Sequence, residues 1–90
     1  MPRYLIERTF PGGLAISADK AGHDAFGRVV NRNADVGVTW LHSYLSKDRQ
    51  TMVCVYEGPG PEAIRRAARL NDLPVDRITE VRVLDPHVYR

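Results

Sequence analysis

The chain has 90 residues, which is enough for one domain with a small hydrophobic core. Its 13 basic and 11 acidic residues give a formal net charge of +2, too balanced to indicate nucleic-acid or membrane-surface binding. One cysteine excludes an internal disulfide, and the sequence shows neither a signal-peptide core nor a run of about 18 apolar residues. We therefore expect a cytoplasmic protein without a membrane or nucleic-acid partner.

The first two predicted elements are a strand and a helix. Residues 3–10 alternate in polarity with the period of two that is typical of a strand, and a Pro-Gly-Gly turn at 11–13 ends it. Ser17 is a suitable N-cap for a helix that runs to about Ala34. Apolar residues spaced by three and four support this helix, although two internal glycines weaken it.

Two further strands follow as a predicted hairpin. Residues 38–44 and 52–56 both alternate with a period of two, and a polar segment at 46–50 separates them. One predicted face is aliphatic, whereas the other combines aromatic rings, sulfur atoms and a histidine. The members of this second face are Val38, Trp40, His42, Tyr44, Met52, Cys54 and Tyr56.

The last part of the chain predicts a second helix and a fourth strand. A Gly-Pro-Gly-Pro segment at 58–61 places Pro61 in the first turn of a helix over residues 62–71. Residues 78–84 then predict a strand. The order β-α-β-β-α-β predicts an α+β, ferredoxin-like fold in which both helices cover one face of an antiparallel sheet. We expect one domain at residues 1–85 and a C-terminal tail at 86–90.

The second face of the sheet should remain uncovered by the helices. Aliphatic residues best suit the covered face: Leu5, Leu41, Val53, Val55, Val81 and Val83. The uncovered face would then carry Tyr4, Ile6, Trp40, His42, Tyr44, Met52, Cys54, Tyr56, Glu80 and Arg82. Such an apolar area favours a homodimer that packs two open faces into a dimeric α+β barrel around a cavity.

A metal site is one interpretation of the predicted open face. His42, Cys54 and Glu80 would supply an imidazole, a thiolate and a carboxylate, which are ligands for nickel, zinc or a similar divalent ion. Their spacing does not form a compact ligand motif. The alternative is a partly buried histidine that hydrogen-bonds to a tyrosine, with the cysteine acting as a small hydrophobic residue.

A small-molecule site is the second interpretation. Four aromatic residues would line a pocket for a flat organic ligand, or would simply pack in the dimer interface. A cofactor-independent oxygenase, isomerase or lyase acting on an aromatic or polyketide-like substrate would use His42 as acid or base and Arg82 to stabilise an enolate or carboxylate. Glu80 would pair with Arg82 on the cavity wall or orient a polar ligand. The aromatic residues are Tyr4, Trp40, Tyr44 and Tyr56.

RNA-recognition domains share the predicted topology and stack bases on aromatic residues of their central strands. Tyr4 and Tyr56 occupy comparable positions. However, residues 50–56 do not match the recognition consensus, and the balanced charge gives no support. RNA binding is therefore disfavoured.

The chain resembles a family of small bacterial proteins of the DUF4242 type, which includes a nickel-binding actinobacterial member. The resemblance covers nearly the whole chain and is carried by YLIER at 4–8, WLHSY at 40–44, CVY at 54–56, EAIR at 62–65, PVDRI at 74–78 and EV at 80–81. It implies a ferredoxin-like fold, a dimeric α+β barrel and nickel as the bound metal. It does not imply a reaction.

The second helix departs from the family pattern. Family members often carry Glu-His-Ala where this chain has Arg66, Ala67 and Ala68, so a histidine is absent at position 67. His42, Cys54, Glu7 and Glu80 are the remaining candidate ligands. We thus predict a small homodimer that binds nickel or a similar metal; the enzyme described above and a purely structural or regulatory dimer remain the alternatives.

Overall fold

The computed structural model describes residues 1–15 and 20–87. The predicted order of elements is confirmed, and β4 ends at Val81, three residues earlier than the sequence pattern predicts. The predicted N-cap, Ser17, lies outside the described residues. Neither described helix has the length and apolar character needed to cross a bilayer. The elements are β1 (Arg3–Thr9), α1 (Lys20–Asp35), β2 (Thr39–Leu45), β3 (Thr51–Glu57), α2 (Pro61–Leu70) and β4 (Arg77–Val81).

The four strands form one sheet in the order β2-β3-β1-β4. All three strand pairings are antiparallel, so β1 and β3 lie at the centre and β2 and β4 at the edges. This order confirms the predicted ferredoxin-like α+β fold. Tyr4 lies opposite Tyr56 on one side and Glu80 on the other, which places these three residues on one face of the sheet.

The helices cover the aromatic face and not the aliphatic one, so the predicted assignment of the faces was wrong. Ile64 and Ala67 of α2 belong to the same buried cluster as Tyr56 and Cys54 of β3. The physical reason is a match of sizes, because α2 presents small alanines where the strands present large rings. The buried cluster comprises Tyr4, Ile6, Val38, Cys54, Tyr56, Ile64 and Ala67.

A β-bulge in β2 separates two aromatic residues that the simple alternation placed together. Trp40 lies opposite Tyr56, but the next paired residue, His42, lies opposite Val55, so Leu41 is the extra residue. Trp40 therefore lies on the helix-covered face, whereas His42 is on the other. The Trp40 Nε1 atom donates a hydrogen bond to the Ser43 hydroxyl at 2.8 Å across the bulge.

The uncovered face, here called the open face, is mainly aliphatic at its centre. Its central residues are half-buried, and two ion pairs lie on it: Arg3 with Glu57 at 3.0 Å, and Arg77 with Glu7 at 3.9 Å. The apolar and aromatic members of the open face are Leu5, His42, Tyr44, Val53, Val55 and Val81.

Gly37 ends α1 in the left-handed conformation, with φ = 72°. The Val38 N–H donates to the Asn33 carbonyl at 2.9 Å, and the Gly37 N–H donates to the Ala34 carbonyl at 3.1 Å. This pattern is the Schellman arrangement that favours glycine at the helix end. It directs Val38 into the core directly after the helix.

Gly37→Ala is expected to lower the free energy of unfolding by about 1 kcal/mol, because a side chain is strained at this positive φ. Gly27→Ala is the matched control: Gly27 is an exposed residue within α1, and an added Cβ meets no atom within 4 Å. It should raise stability by up to about 1 kcal/mol. Urea denaturation measures both changes in the free energy of unfolding. If both variants changed stability in the same direction, the result would contradict the left-handed helix end at Gly37.

Candidate functional site

The sheet separates the three predicted metal ligands. His42 is exposed on the open face of β2, whereas Cys54 is 1% exposed on the helix-covered face of β3. Glu80 lies opposite Tyr4 and therefore shares the helix-covered face with Cys54. The prediction that these residues share one face was wrong, and no group of three His, Cys, Asp or Glu side chains among the described residues is arranged to hold a metal.

His42 lies in an aromatic and aliphatic setting on the open face. Its ring forms a T-shaped contact with the Tyr44 ring, with ring centroids 5.3 Å apart and planes at 86°. Val55 is its partner across the strands. Because β2 is an edge strand and the bulge directs His42 away from the helices, the imidazole is accessible from the open face.

Two carboxylates share the open face with His42. Glu7 on β1 pairs with Arg77, and Glu57 on β3 pairs with Arg3. Sequence reasoning named Glu7 as a candidate ligand but missed Glu57. Extending the alternation of β3 from Val55 by two residues would have placed Glu57 on this face.

The four aromatic residues predicted to line a cavity are divided between the faces. Tyr4 and Tyr56 are buried beneath the helices, and the half-buried Trp40 lies beside Tyr56. Tyr44 is 66% exposed on the open face. Burial and the adjacent Glu80 carboxylate raise the pKa of Tyr4, so this phenol remains neutral at physiological pH. The helix-side aromatic residues are packed as core.

The two predicted catalytic residues lie at opposite edges of the sheet. His42 is on β2, whereas Arg82 follows β4 directly. No ion pair joins Glu80 and Arg82 in the described part of the chain. A single chain therefore does not bring His42 and Arg82 to one substrate. An open groove beside Arg82 is lined by Met1, Pro2, Arg3, Glu80, Val81, Arg82 and Val83.

The family model of the nickel-responsive protein SCO4226-like matches residues 4–81 of the chain. The chain belongs to the SCO4226-like family of nickel-responsive proteins. The crystal structure of SCO4226 from Streptomyces coelicolor A3(2) is similar, with 22% identity and a TM-score of 0.73. The match covers 92% of this chain and 99% of SCO4226, and it shows a shared fold. No curated protein matches the chain.

In this member of the SCO4226-like family, position 67 lies in the core. Ala67 is 2% exposed and packs in the buried cluster with Tyr56 and Cys54. It is therefore on the opposite side of the sheet from His42. A ligand set that combined positions 42 and 67 would have to cross the sheet within one chain.

The sequence reasoning missed two buried polar residues, Arg8 and Asn33. Arg8 is 1% exposed and lies on the helix-covered face of β1. Its guanidinium carbon is 5.9 Å from the centre of the Tyr56 ring. The alternation of β1 gave the signal, because Arg8 continues the series of Tyr4 and Ile6.

Proposed function

We propose that the chain is a cytoplasmic homodimer that binds nickel or a similar divalent transition metal on its open face. The observation that carries the proposal is the exposed His42 imidazole on that face, in a chain of the nickel-responsive family. Neutral imidazole is a common ligand of nickel and zinc. Membership of the DUF4242 type, which the sequence predicts, is consistent with this family and stays a prediction.

The proposed metal site needs two copies of the chain. One histidine is too few ligands, but a twofold axis doubles every donor on a shared surface. His42 of each copy would supply the nitrogen ligands, with Glu7 or Glu57 as carboxylate ligands. Cys54 and Glu80 lie on the helix-covered face and are left out of the proposed site.

The composition of the open face supports a second copy as its partner. Leu5, Val53 and Val55 form an aliphatic centre, and both Arg–Glu pairs lie on the same surface. This combination suits a self-complementary interface, because each positive group can meet a negative group of the other copy. The dimer buries apolar area that a small domain otherwise leaves in water.

Isothermal titration with nickel tests the proposal. Wild type is expected to bind one metal ion per two chains, and His42→Ala to weaken binding at least about tenfold, as expected for the loss of a ligand. His87→Ala is the matched control, because His87 is an exposed histidine outside the sheet.

Unchanged binding in His42→Ala would remove His42 from the site. Absence of nickel and zinc binding in wild type would overturn the metal proposal itself. If His87→Ala weakened nickel binding as much as His42→Ala does, nickel would be binding non-specifically to exposed histidines.

A further inference from the structure

The buried Arg8 guanidinium has no negatively charged partner among the residues that the structure describes. It has five N–H donors. The Nη1 atom donates to the Pro74 carbonyl at 2.6 Å, and the Nη2 atom donates to the Tyr56 hydroxyl at 3.4 Å. Both acceptors are neutral, and none of the ion pairs among the described residues includes Arg8. A buried cation in this state is costly unless an anion compensates it.

The side edge of the Arg8 guanidinium carries N–H donors that match a planar oxyanion. The Nε atom is buried and has no acceptor among the described residues. Nε and Nη2 form the side edge of the guanidinium, whose two parallel N–H groups match the two oxygens of a carboxylate. The contact from Nη2 to Tyr56 is longer than a typical N–H···O bond, so this edge retains donor capacity.

A second buried donor lies beside Tyr56. Asn33 on α1 is 1% exposed, and its Oδ1 atom accepts a hydrogen bond from Asn71 Nδ2 at 3.0 Å. This bond fixes the orientation of the amide, so Asn33 Nδ2 is a buried donor beside the Tyr56 hydroxyl, and no acceptor among the described residues lies at full hydrogen-bond distance from it. Burial raises the pKa of Tyr56, whereas the Arg8 charge and the neighbouring Asn33 side chain lower it. In the described part of the chain, Asn71 Oδ1 is the other buried side-chain atom without a partner; it is an acceptor and is not assigned to the site.

We propose that Arg8, Asn33 and the Tyr56 hydroxyl form a buried site, between the sheet and the helices, for a small carboxylate anion. The Arg8 side edge would bind both oxygens, and Asn33 Nδ2 would donate a third hydrogen bond. The site is independent of the nickel proposal, because Arg8 and His42 lie on opposite faces of the sheet.

Thermal unfolding in acetate tests the site. Acetate is compared with chloride and with inorganic phosphate at constant pH, ionic strength and protein concentration. With acetate several-fold above its Kd, the Tm of wild type is expected to rise by about 5 °C relative to chloride. Arg8→Met should lose this shift, whereas Arg66→Met, which changes an exposed arginine of α2, should retain it.

Asn33→Asp is a second variant, which tests the site even if Arg8→Met does not fold. It places a carboxylate beside the Arg8 site, so we expect a higher Tm in chloride and no further shift in acetate. A shift in phosphate but not in acetate would overturn the carboxylate assignment. An acetate shift that persists in Arg8→Met or Asn33→Asp, or its absence in wild type, would overturn the site.

Discussion

Replacing Ile64 with alanine is expected to lower the free energy of unfolding by about 3 to 4 kcal/mol. Ile64 is 1% exposed and belongs to the buried cluster formed with the tyrosines and Cys54. Its side chain also approaches Gly58 so closely that a Cβ there would lie 3.2 Å from Ile64 Cδ1. A domain of this size has a total stability of roughly 5 to 13 kcal/mol, so the loss is a large share.

Leu70→Ala is the matched control for Ile64→Ala. Leu70 ends the same helix and is 47% exposed, so its truncation is expected to cost less than about 1 kcal/mol. Urea denaturation at one fixed protein concentration measures both variants. Similar losses would contradict the packing of α2 on the tyrosine and cysteine face of the sheet.

Replacing Val55 with lysine is expected to dissociate the proposed homodimer. Val55 lies on the open face in a central strand, between His42 on one side and Leu5 on the other. Burying a lysine there should cost about 2 kcal/mol per copy, and each dimer contains two copies. The total of about 4 kcal/mol corresponds to a dimer dissociation constant that is about a thousandfold higher.

Analytical ultracentrifugation over a range of concentrations measures this change. Val30→Lys is the control, because Val30 is a half-exposed valine on α1 and is not on the open face. A monomeric wild type would contradict the dimer, and an unchanged dimer in Val55→Lys would move the interface away from the open face. Since the proposed nickel site needs both copies of the chain, Val55→Lys should also weaken nickel binding.

The two proposed sites use opposite faces of one sheet. His42 and the open-face carboxylates offer donors for a cation, whereas Arg8 and Asn33 offer hydrogen-bond donors for an anion. Because side chains alternate along a strand, β1 and β3 each contribute residues to both faces. Nickel titration of Arg8→Met and acetate-dependent unfolding of His42→Ala separate the two proposals.

The sequence by itself determined the elements and their order. Alternation of period two along residues 3–10 and 52–56 is a local property of the chain, and so are the turn residues at 11–13 and 58–61. Short connections and the order β-α-β-β-α-β then leave few topologies, of which the ferredoxin-like sheet is confirmed.

Only the tertiary structure decided which face of the sheet the helices cover. Alternation separates Tyr4 from Leu5, but it does not show which of them meets a helix; the small alanines of α2 decide that by fitting against the large rings. The bulge at Leu41 likewise depends on pairing with β3, and it places His42 on the face opposite Cys54. The burial of Arg8 follows from the same packing, because its position on β1 places it beneath the helices.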